Sequence, residues 1–301
     1  MTFQEAYRRG RTELEKAGIE TAAFDAVRLF QYVFGLDRQA LILRGGEDCG
    51  PGLDRFQRLI RERAKHEPLQ YLLGEWEFMD FSLAVGKGVL IPREETELLV
   101  YTAAQRLKEE RSTWQDPKRR PKAVDLCAGT GAVGLGIASL IPDTEILCAE
   151  LYPEAMYYLR ENIRRTKKWN VIAEKLDILC PESPRQAAEK LGAVGGFDLI
   201  LSNPPYINTG ELSGLQQEVQ REPQTALDGG EDGVLFYRAI AQLWLPLLSD
   251  GGVAAVEVGE TQGTEVKLFW EKAGLQKVEV LQDFNGLDRV VIGQKGKKSQ
   301  P

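Results

Sequence analysis

Apolar residues recur at helical spacing in the first 70 or so residues of the chain. One stripe consists of Leu53, Phe56, Leu59, Ile60 and Ala64, and a second consists of Val27, Phe30 and Phe34 before Gly35. Asp37 is placed to cap a short third helix through Leu43, which Gly45 and Gly46 would end. A bundle of about 70 residues has only a marginal core of its own. We therefore expect it to pack on the rest of the chain or to clasp a partner protein.

From residue 93 onwards, short apolar runs alternate with helical segments. The runs that predict strands are 123–126, 146–149, 171–176, 197–202, 252–258, 278–281 and 289–292. This alternation predicts a mostly parallel sheet with right-handed crossovers, and Pro153 suits the first turn of one crossover helix. Residues 75–92 alternate aromatic, small and polar groups around Gly86 and Gly88, which predicts a β-hairpin connecting the two parts.

Composition excludes several classes of protein. The net charge of -7 argues against binding along a phosphate backbone, which depends on clustered Lys and Arg. His66 is the only histidine, and the four cysteines show no C-x-x-C spacing, so neither a metal site nor a Ser-His-Asp triad is expected. With no signal-peptide pattern and no apolar run of about 18 residues, we expect a cytoplasmic protein without membrane contact.

The most distinctive segment is Asn203-Pro204-Pro205-Tyr206, which directly follows the predicted strand 197–202. Consecutive prolines neither continue a strand ladder nor start a helix interior, so the chain leaves the sheet in a rigid turn. Ligands bind at this carboxyl edge in open α/β sheets. The turn presents a carboxamide, backbone carbonyls and an aromatic face, which together suit a planar NH₂ group.

Such a group needs help to be alkylated because its nitrogen lone pair is delocalised. The Asn203 side-chain oxygen and the Pro204 carbonyl can each accept one N–H and aim the nitrogen at an electrophile, while Tyr206 stacks on the flat group. Positioning of this kind supplies much of a barrier reduction. The plain alternative is a proline-rich loop that only terminates a strand.

A glycine-rich turn follows the predicted strand 123–126. It reads Cys127-Ala128-Gly129-Thr130-Gly131 and opens a helix that reaches about Leu140. Glycines let the backbone approach a ligand closely at a helix amino terminus. The next strand ends at Glu150, where an acidic residue would grip a ribose diol.

Two cofactors compete for this turn. Gly129, Gly131 and Gly134 satisfy the dinucleotide fingerprint G-x-G-x-x-G, so an NAD enzyme is one alternative. Asp125 favours a ligand with an ammonium group over a pyrophosphate, although a loop-bracing carboxylate is its plain alternative. S-adenosylmethionine carries that ammonium and also the ribose diol for Glu150, and nicotinamide would leave the Asn-Pro-Pro-Tyr turn without a role. The residues therefore favour the methyl donor.

Several further blocks carry a family resemblance between about Arg63 and Ile292. They read EPLQYLLG (67–74), EF (77–78), LIPREETE (90–97), DLCAGTG (125–131), SNPPYI (202–207), EPQTALDGG (222–230) and DRVV (288–291). With these blocks the chain resembles the bacterial protein-(glutamine-N5) methyltransferases of peptide-chain release factors. The NPPY turn is shared with DNA adenine methyltransferases, whereas the LIPREETE and EPQTALDGG blocks are much more specific.

The resemblance implies an α/β protein of two domains. These are a Rossmann-like class I S-adenosylmethionine-dependent methyltransferase domain and a small N-terminal helical domain, joined by a β-hairpin. We place the helical substrate-binding domain at 1–73, the hairpin linker at 74–92, the methyltransferase domain at 93–295 and a disordered tail at 296–301. The last strand is expected to lie antiparallel between its neighbours.

The resemblance also implies methyl transfer to the side-chain nitrogen (N5) of the glutamine in the GGQ loop of release factors, with S-adenosylhomocysteine as product. The expected catalytic residues are Asn203, Pro204 and Tyr206. The expected cofactor site consists of Asp125, Cys127, Ala128, Gly129, Thr130, Gly131, Glu150, Asp177 and Asn203. Substrate contacts are expected from Asn203, Pro204, Pro205, Tyr206 and Arg93. The alternative for Asp177 is a plain turn residue. Arg93, Glu95 and Glu97 are candidates for shaping the pocket entrance, and the alternative is that they form a salt-bridged helix start. No metal and no stable nucleic-acid binding are expected, and we expect a monomer.

The chain departs from the family pattern at a few places. Glu94 stands where the family usually has proline, and Cys127 stands where it has the first glycine of the turn. Two stretches, 108–122 and 181–196, are longer than the family minimum and are polar or rich in Pro and Gly, which predicts surface insertions.

Three rival functions stay open at this point. A glutamine methyltransferase of a ribosomal protein would have nearly identical motifs. A DNA adenine-N6 methyltransferase should bring a basic target-recognition region. A noncatalytic adaptor that binds S-adenosylmethionine would not need the intact amide cradle around Asn203.

Overall fold

The chain divides into two compact units. The computed structural model describes residues 1–297, so the predicted tail lies outside the described residues from 298 on. The first unit, called the helical unit, comprises Met1–Trp76, Val85–Lys87 and Leu215–Glu222. The second, called the sheet unit, comprises Glu77–Ala84, Gly88–Gly214 and the chain from Pro223 onwards.

Five helices form the helical unit. They are α1 (Phe3–Lys16), α2 (Ala22–Phe34), α3 (Arg38–Leu43), α4 (Leu53–Arg63) and α5 (Leu69–Leu73), with 3₁₀ turns at Gly50–Gly52 and Val219–Arg221. The predicted cap is confirmed, because Asp37 accepts the Ala40 N–H at 2.7 Å and α3 runs to Leu43. Gly35 ends α2 with a φ of 66°. The apolar stripes meet in a core of edge-on aromatic rings, with Phe30 and Phe56 centroids 5.7 Å apart.

A buried ion pair crosses the core of the helical unit. Arg63 at the end of α4 donates to the Asp25 carboxylate of α2 at 2.7 Å, and the two side chains are only 6% and 3% exposed. The same guanidinium donates to Glu218 at 2.9 Å, and His66 Nδ1 lies 3.0 Å from the same Glu218 oxygen. Arg221 donates to the Lys65 carbonyl at 3.1 Å. The segment Leu215–Glu222 is therefore held on the helical unit by a charged network.

The predicted hairpin is present, but its turn lies elsewhere. The strands β1 (Glu75–Phe78) and β2 (Phe81–Ala84) form a two-stranded sheet. They turn at Met79, which adopts a φ of 53° and donates its N–H to Glu97 at 2.8 Å. Gly86 and Gly88 follow the second strand, so the expectation that the hairpin forms around them is wrong. A left-handed methionine held by a carboxylate leaves no recognisable turn signal in a sequence.

The sheet unit has a seven-stranded sheet with helices on both faces. Its strands are β3 (Lys122–Leu126), β4 (Glu145–Glu150), β5 (Val171–Lys175), β6 (Phe197–Ser202), β7 (Leu248–Glu257), β8 (Leu275–Gln282) and β9 (Asp288–Lys295). The order is β5-β4-β3-β6-β7-β9-β8, with β9 antiparallel to both neighbours. This confirms the Rossmann-like fold and the inserted last strand.

Six helices and four short turns complete the sheet unit as described. The helices are α6 (Thr96–Arg111), α7 (Ala132–Leu140), α8 (Pro153–Thr166), α9 (Ser183–Leu191), α10 (Leu235–Ala239) and α11 (Gly263–Lys272). The turns are 3₁₀ segments at Thr209–Gly214, Gln224–Ala226 and Leu245–Leu247 and a π-helical segment at Ile240–Trp244. Successive residues of β3 enter different cores, Ala123 on one face and Val124 on the other, as expected for a buried parallel strand.

The predicted surface insertion at 181–196 is wrong. Most of this stretch is the crossover helix α9, which begins next to Pro184 and buries Ala187 and Leu191 in the core. The proline suits a first helical turn, and the two apolar residues are four positions apart on one helix face. In the other stretch, α6 continues to Arg111, and residues 112–121 are irregular.

Candidate active site

One cavity opens at the carboxyl ends of the parallel strands of the sheet unit. Its wall includes most of the predicted residues: Arg93, Asp125, Cys127, Ala128, Gly129, Thr130, Glu150, Asp177, Asn203 and Pro205. Gly131, Pro204 and Tyr206 are not part of this wall. The topology accounts for the convergence, because β3, β4, β5 and β6 are neighbours whose parallel ends meet at one edge.

The glycine-rich turn bends through three left-handed residues. Cys127, Gly129 and Gly131 have φ values of 57°, 56° and 82°. Cys127 thus adopts a left-handed conformation, which costs a residue with a Cβ atom roughly 1–2 kcal/mol. This cost is the physical reason for the glycine that the family pattern has at the position of Cys127. At Gly131 a Cβ would also lie 2.6 Å from a Leu159 methyl, so this glycine packs the turn against α8.

Glu150 fastens the glycine-rich turn to the end of β4. One carboxylate oxygen accepts the Gly129 N–H at 2.9 Å, and the other accepts those of Leu151 and Tyr152 at 2.8 and 2.9 Å. A carboxylate has about four acceptor positions. Glu150 therefore keeps capacity for a hydroxyl donor from the cavity that it lines.

Asp125 lines the cavity and has one unpaired side-chain oxygen. Its side chain is 1% exposed, and Oδ2 accepts the Gly134 N–H at 2.9 Å. Oδ1 is buried and has no hydrogen-bond partner within residues 1–297. Burial, reinforced by Glu150, raises the pKa of Asp125 to about 7. An orphaned buried oxygen of this kind calls for a donor from a ligand, and a cation would be the strongest.

Asp177 follows β5 and serves a turn as well as the cavity. Its Oδ1 accepts the Leu179 N–H at 2.9 Å, the usual geometry of an Asx turn, while the residue also belongs to the cavity wall. Both interpretations weighed for this residue are thus compatible with its position.

The NPPY turn is braced on both sides. Ser202 donates to the Leu126 carbonyl at 2.7 Å, and Ile207 pairs with the 227–229 segment through hydrogen bonds of 2.9 and 2.8 Å. Gln262 donates to the Tyr206 carbonyl at 2.9 Å. A Cβ on Gly229 would lie 2.8 Å from the Tyr206 Cα. The EPQTALDGG block therefore needs glycine at position 229 so that its loop can lie against the NPPY turn. Pro223, Thr225 and Ala226 of the same block line the cavity.

Two polar residues behind Asn203 escaped the sequence interpretation. Asn203 Nδ2 donates to Thr96 Oγ1 at 3.2 Å, and Thr96 Oγ1 donates to the Glu257 carboxylate at 2.6 Å. Tyr206 also approaches Glu257, with its hydroxyl at 3.5 Å. Glu257 is 1% exposed, and burial raises its pKa to about 7. A carboxylate ending an apolar strand at the ligand-binding edge was the signal that could have revealed it.

The residues of the LIPREETE block have separate roles. Arg93 and Thr96 line the cavity, whereas Glu97 binds the Met79 N–H and so holds the hairpin turn. Glu95 immediately precedes α6. Among residues 1–297, no three His, Cys, Asp or Glu side chains are grouped to hold a metal ion, and no helix has the length and apolarity to span a membrane.

Comparison with known proteins places this arrangement in a family. A family model for the PrmC N-terminal domain matches residues 5–74, and one described as conserved hypothetical protein 95 matches residues 104–228. The fold resembles the solved hMettl16 catalytic domain in complex with a MAT2A 3′UTR hairpin. That likeness has a TM-score of 0.53 and 12% identity, over 83% of this chain and 84% of that one.

Two curated relatives extend over nearly the whole chain. The release factor glutamine methyltransferase of Clostridium acetobutylicum is 34% identical over 98% of this chain and 99% of its own length. That of Thermodesulfovibrio yellowstonii is 35% identical over 91% of this chain and 92% of its own. Identity at this level over both units, together with the cavity that joins the glycine-rich and NPPY turns, shows that the chain belongs to the release factor glutamine methyltransferase family.

Proposed function

We propose that this protein transfers a methyl group from S-adenosylmethionine to the side-chain nitrogen of the glutamine in the GGQ loop of peptide-chain release factors. The observation that carries the proposal is that Asn203 lines the same cavity as Asp125 and Glu150. An amide cradle and a cofactor site thus share one space. The names of the full-length relatives supply the substrate class.

The residues of the cavity fit the cofactor. The unpaired Oδ1 of Asp125 suits its ammonium, the remaining acceptor capacity of Glu150 suits its ribose diol, and the glycine-rich turn allows close approach of the backbone. Asp177, which lines the same cavity, would contact its adenine. When bound, S-adenosylmethionine supplies an electrophilic methyl group.

The chain's own contribution is to position a weak nucleophile. Asn203 Oδ1 and the Pro204 carbonyl would accept the two N–H groups of the glutamine amide, which fixes the plane of the amide and the direction of its nitrogen. Fixing two reacting groups in one geometry removes much of the entropic part of a barrier. The buried Pro204 and Pro205 keep the cradle rigid because their φ angles are locked.

The helical unit is proposed to grip the folded substrate. Its α3 exposes Ile42 and Leu43 by 75% and 85%, which offers apolar contact area on a unit outside the cavity. A short GGQ peptide lacks the surface for such a grip and carries the full cost of ordering. A complete release factor should therefore be a better substrate than the peptide.

The direct test is methylation of defined substrates. The purified protein with labelled cofactor is offered a release factor, a ribosomal protein fraction and duplex DNA in separate reactions. We expect one added methyl group on the GGQ glutamine by mass spectrometry, and none on a release factor whose glutamine is replaced by asparagine. An unchanged release factor would reject the release factor as substrate. Label in the ribosomal fraction would then favour a glutamine methyltransferase of a ribosomal protein, and label on adenine would favour a DNA adenine-N6 methyltransferase.

Cofactor affinity should rise with pH through about 7 because of Asp125. Its folded pKa of about 7 lies above the ordinary value of 3.8, so at lower pH the carboxyl is protonated and offers no charge to the ammonium. Raising the pH ionises it, and the dissociation constant should fall up to about tenfold per pH unit below the pKa. Calorimetry with S-adenosylhomocysteine between about pH 5.5 and 7.5 measures the effect.

Matched amide substitutions test the origin of this pH dependence. Asp125→Asn should weaken binding and flatten the pH profile, whereas Asp116→Asn, at an exposed loop position, should leave the profile unchanged. A wild-type affinity that stays constant over this pH range would contradict the assignment of the ammonium to Asp125.

A further inference from the structure

A chain of three polar side chains leads from the cavity into the core of the sheet unit. Asn203 follows β6, Thr96 begins α6 and Glu257 ends β7. Asn203 Nδ2 lies 3.2 Å from Thr96 Oγ1, which lies 2.6 Å from Glu257 Oε2. Thr96 and Glu257 are only 3% and 1% exposed, so bulk water does not compete for these hydrogen bonds.

We infer that Thr96 and Glu257 are positioning residues that decide which end of the Asn203 carboxamide faces the substrate. The inference rests on the proposed function, in which Asn203 Oδ1 must accept an N–H of the glutamine amide. In this role the two residues act on the substrate through Asn203 and do not bind it themselves.

The orientation of the Asn203 carboxamide depends on the single proton of the Thr96 hydroxyl. An ionised Glu257 only accepts hydrogen bonds, so Thr96 must donate its proton to the carboxylate. The Thr96 oxygen can then only accept, and it accepts from the NH₂ end of the Asn203 carboxamide. The oxygen end of Asn203 is thereby directed away from Thr96 and is available to the substrate.

Protonation of Glu257 removes this selection. A carboxylic acid can donate to the Thr96 oxygen, which frees the Thr96 proton for the oxygen end of Asn203. The carboxamide is then able to turn over and present its NH₂ end to the substrate's own NH₂ group. Two donors facing each other form no hydrogen bond, so this orientation does not hold the glutamine.

Charged groups from several elements surround Glu257. Burial raises the pKa of Glu257 most, and Glu95 also raises it. The hydrogen bond from Thr96 lowers this pKa, as do Arg289 of β9 and Arg93 before α6. The Tyr206 hydroxyl lies 3.5 Å from Glu257 Oε1, and the Tyr237 hydroxyl of α10 donates to the Glu257 carbonyl at 3.0 Å. The balance leaves the pKa of Glu257 at about 7. Assays at ordinary pH therefore sample both the ionised and the protonated carboxyl, and with them both orientations of Asn203.

The first test separates the hydroxyl of Thr96 from its shape. Thr96→Val should lower kcat about tenfold or more, since misplacement of a positioning group by about 1 Å costs up to about 10². The KM for the cofactor should stay within about twofold, and Thr96→Ser should restore most of kcat. Thr144→Val is the matched control, because the buried Thr144 hydroxyl has no partner within residues 1–297. Equal kcat values for Thr96→Val and Thr144→Val would overturn the inference.

The second test uses pH with the cofactor saturating throughout. Wild-type kcat/KM for the release factor should fall below the pKa of Glu257, by at most about tenfold per pH unit, and level off where Asn203 samples both orientations, since this parameter reports groups of the enzyme before substrate binds. Glu257→Gln cannot titrate, so it should lose this inflection and keep a lower, flat profile. An inflection that persists in Glu257→Gln would assign it to another group and overturn the inference.

A third measurement does not depend on methyl transfer. The side-chain ¹H–¹⁵N signals of Asn203 should shift with pH, with the midpoint of Glu257 titration, and should stay constant in Glu257→Gln. A wild-type protein that leaves the release factor unmethylated would disprove the proposed function. This titration would still test whether Glu257 controls the orientation of Asn203. Asn203 signals that do not respond to pH in the wild type would overturn it.

Discussion

Asn203→Ala should lower the turnover of methyl transfer by about 10² or more, the usual cost of losing one preorganised polar group at a reacting centre. The reason is that its side-chain oxygen is proposed to align the glutamine nitrogen, and alanine offers no acceptor in its place. Cofactor affinity should stay almost unchanged, because Asp125 and Glu150 are untouched. Single-turnover kinetics with saturating release factor, alongside calorimetry with S-adenosylhomocysteine, measure both quantities.

Two further substitutions sharpen this experiment. Asn203→Asp keeps an acceptor oxygen and replaces the NH₂ group by a second one, but it places a second carboxylate near Glu257, so partial activity that varies with pH is expected. Asn285→Ala removes an exposed carboxamide in the loop between β8 and β9 and should be neutral. A wild-type rate for Asn203→Ala at saturating substrate would refute the amide cradle.

Arg63→Met should destabilise the helical unit by about 3–5 kcal/mol, the cost of breaking a buried ion pair by removing one partner. Methionine fills much of the space of the arginine stem, but it leaves the Asp25 carboxylate, which is 3% exposed, without its cation. Glu218 loses a partner at the same time. Hydrogen exchange of the α2 and α4 amides, read by mass spectrometry, reports this loss locally.

The matched control is an arginine in an exposed pair. Arg44 and Glu47 have side chains that are 49% and 52% exposed, so Arg44→Met should cost at most about 0.5 kcal/mol. The double variant Asp25→Asn and Arg63→Met should recover part of the stability, since the unpaired charge is gone. Equal protection factors in Arg63→Met and Arg44→Met would show that the buried pair does not stabilise the unit.

Local signals predicted most of the fold because each has a local cause. Asp37 caps α3 through its own side chain, Pro153 starts α8, and the alternation of strands and helices requires a parallel sheet. The convergence of Asp125, Glu150 and Asn203 followed from the same rule about strand ends. Their roles toward a ligand stay predictions, which the experiments above address.

The features that the sequence analysis did not predict depend mainly on contacts between residues that are far apart in the chain. Glu257 is separated from Thr96 by 161 positions, and nothing near either residue indicates the pairing. Met79 turns left-handed where glycine would be expected because Glu97 holds its N–H. The helix within residues 181–196 was not recognised from the composition. Its buried face has few apolar residues, such as Leu191, and small ones, such as Ala187.

The segment Leu215–Glu222 has a consequence for how this protein can be taken apart. It lies between the NPPY turn and the cavity residue Pro223 in the sequence, yet it belongs to the helical unit through Arg63, His66 and Lys65. The amino-terminal family match, residues 5–74, thus covers only part of that unit. A chimaera that exchanges the amino-terminal region between two relatives would pair Glu218 and Arg221 with foreign surfaces. The helical unit is composed of three chain segments, so a chimaera that keeps its charged network intact has to exchange all three together.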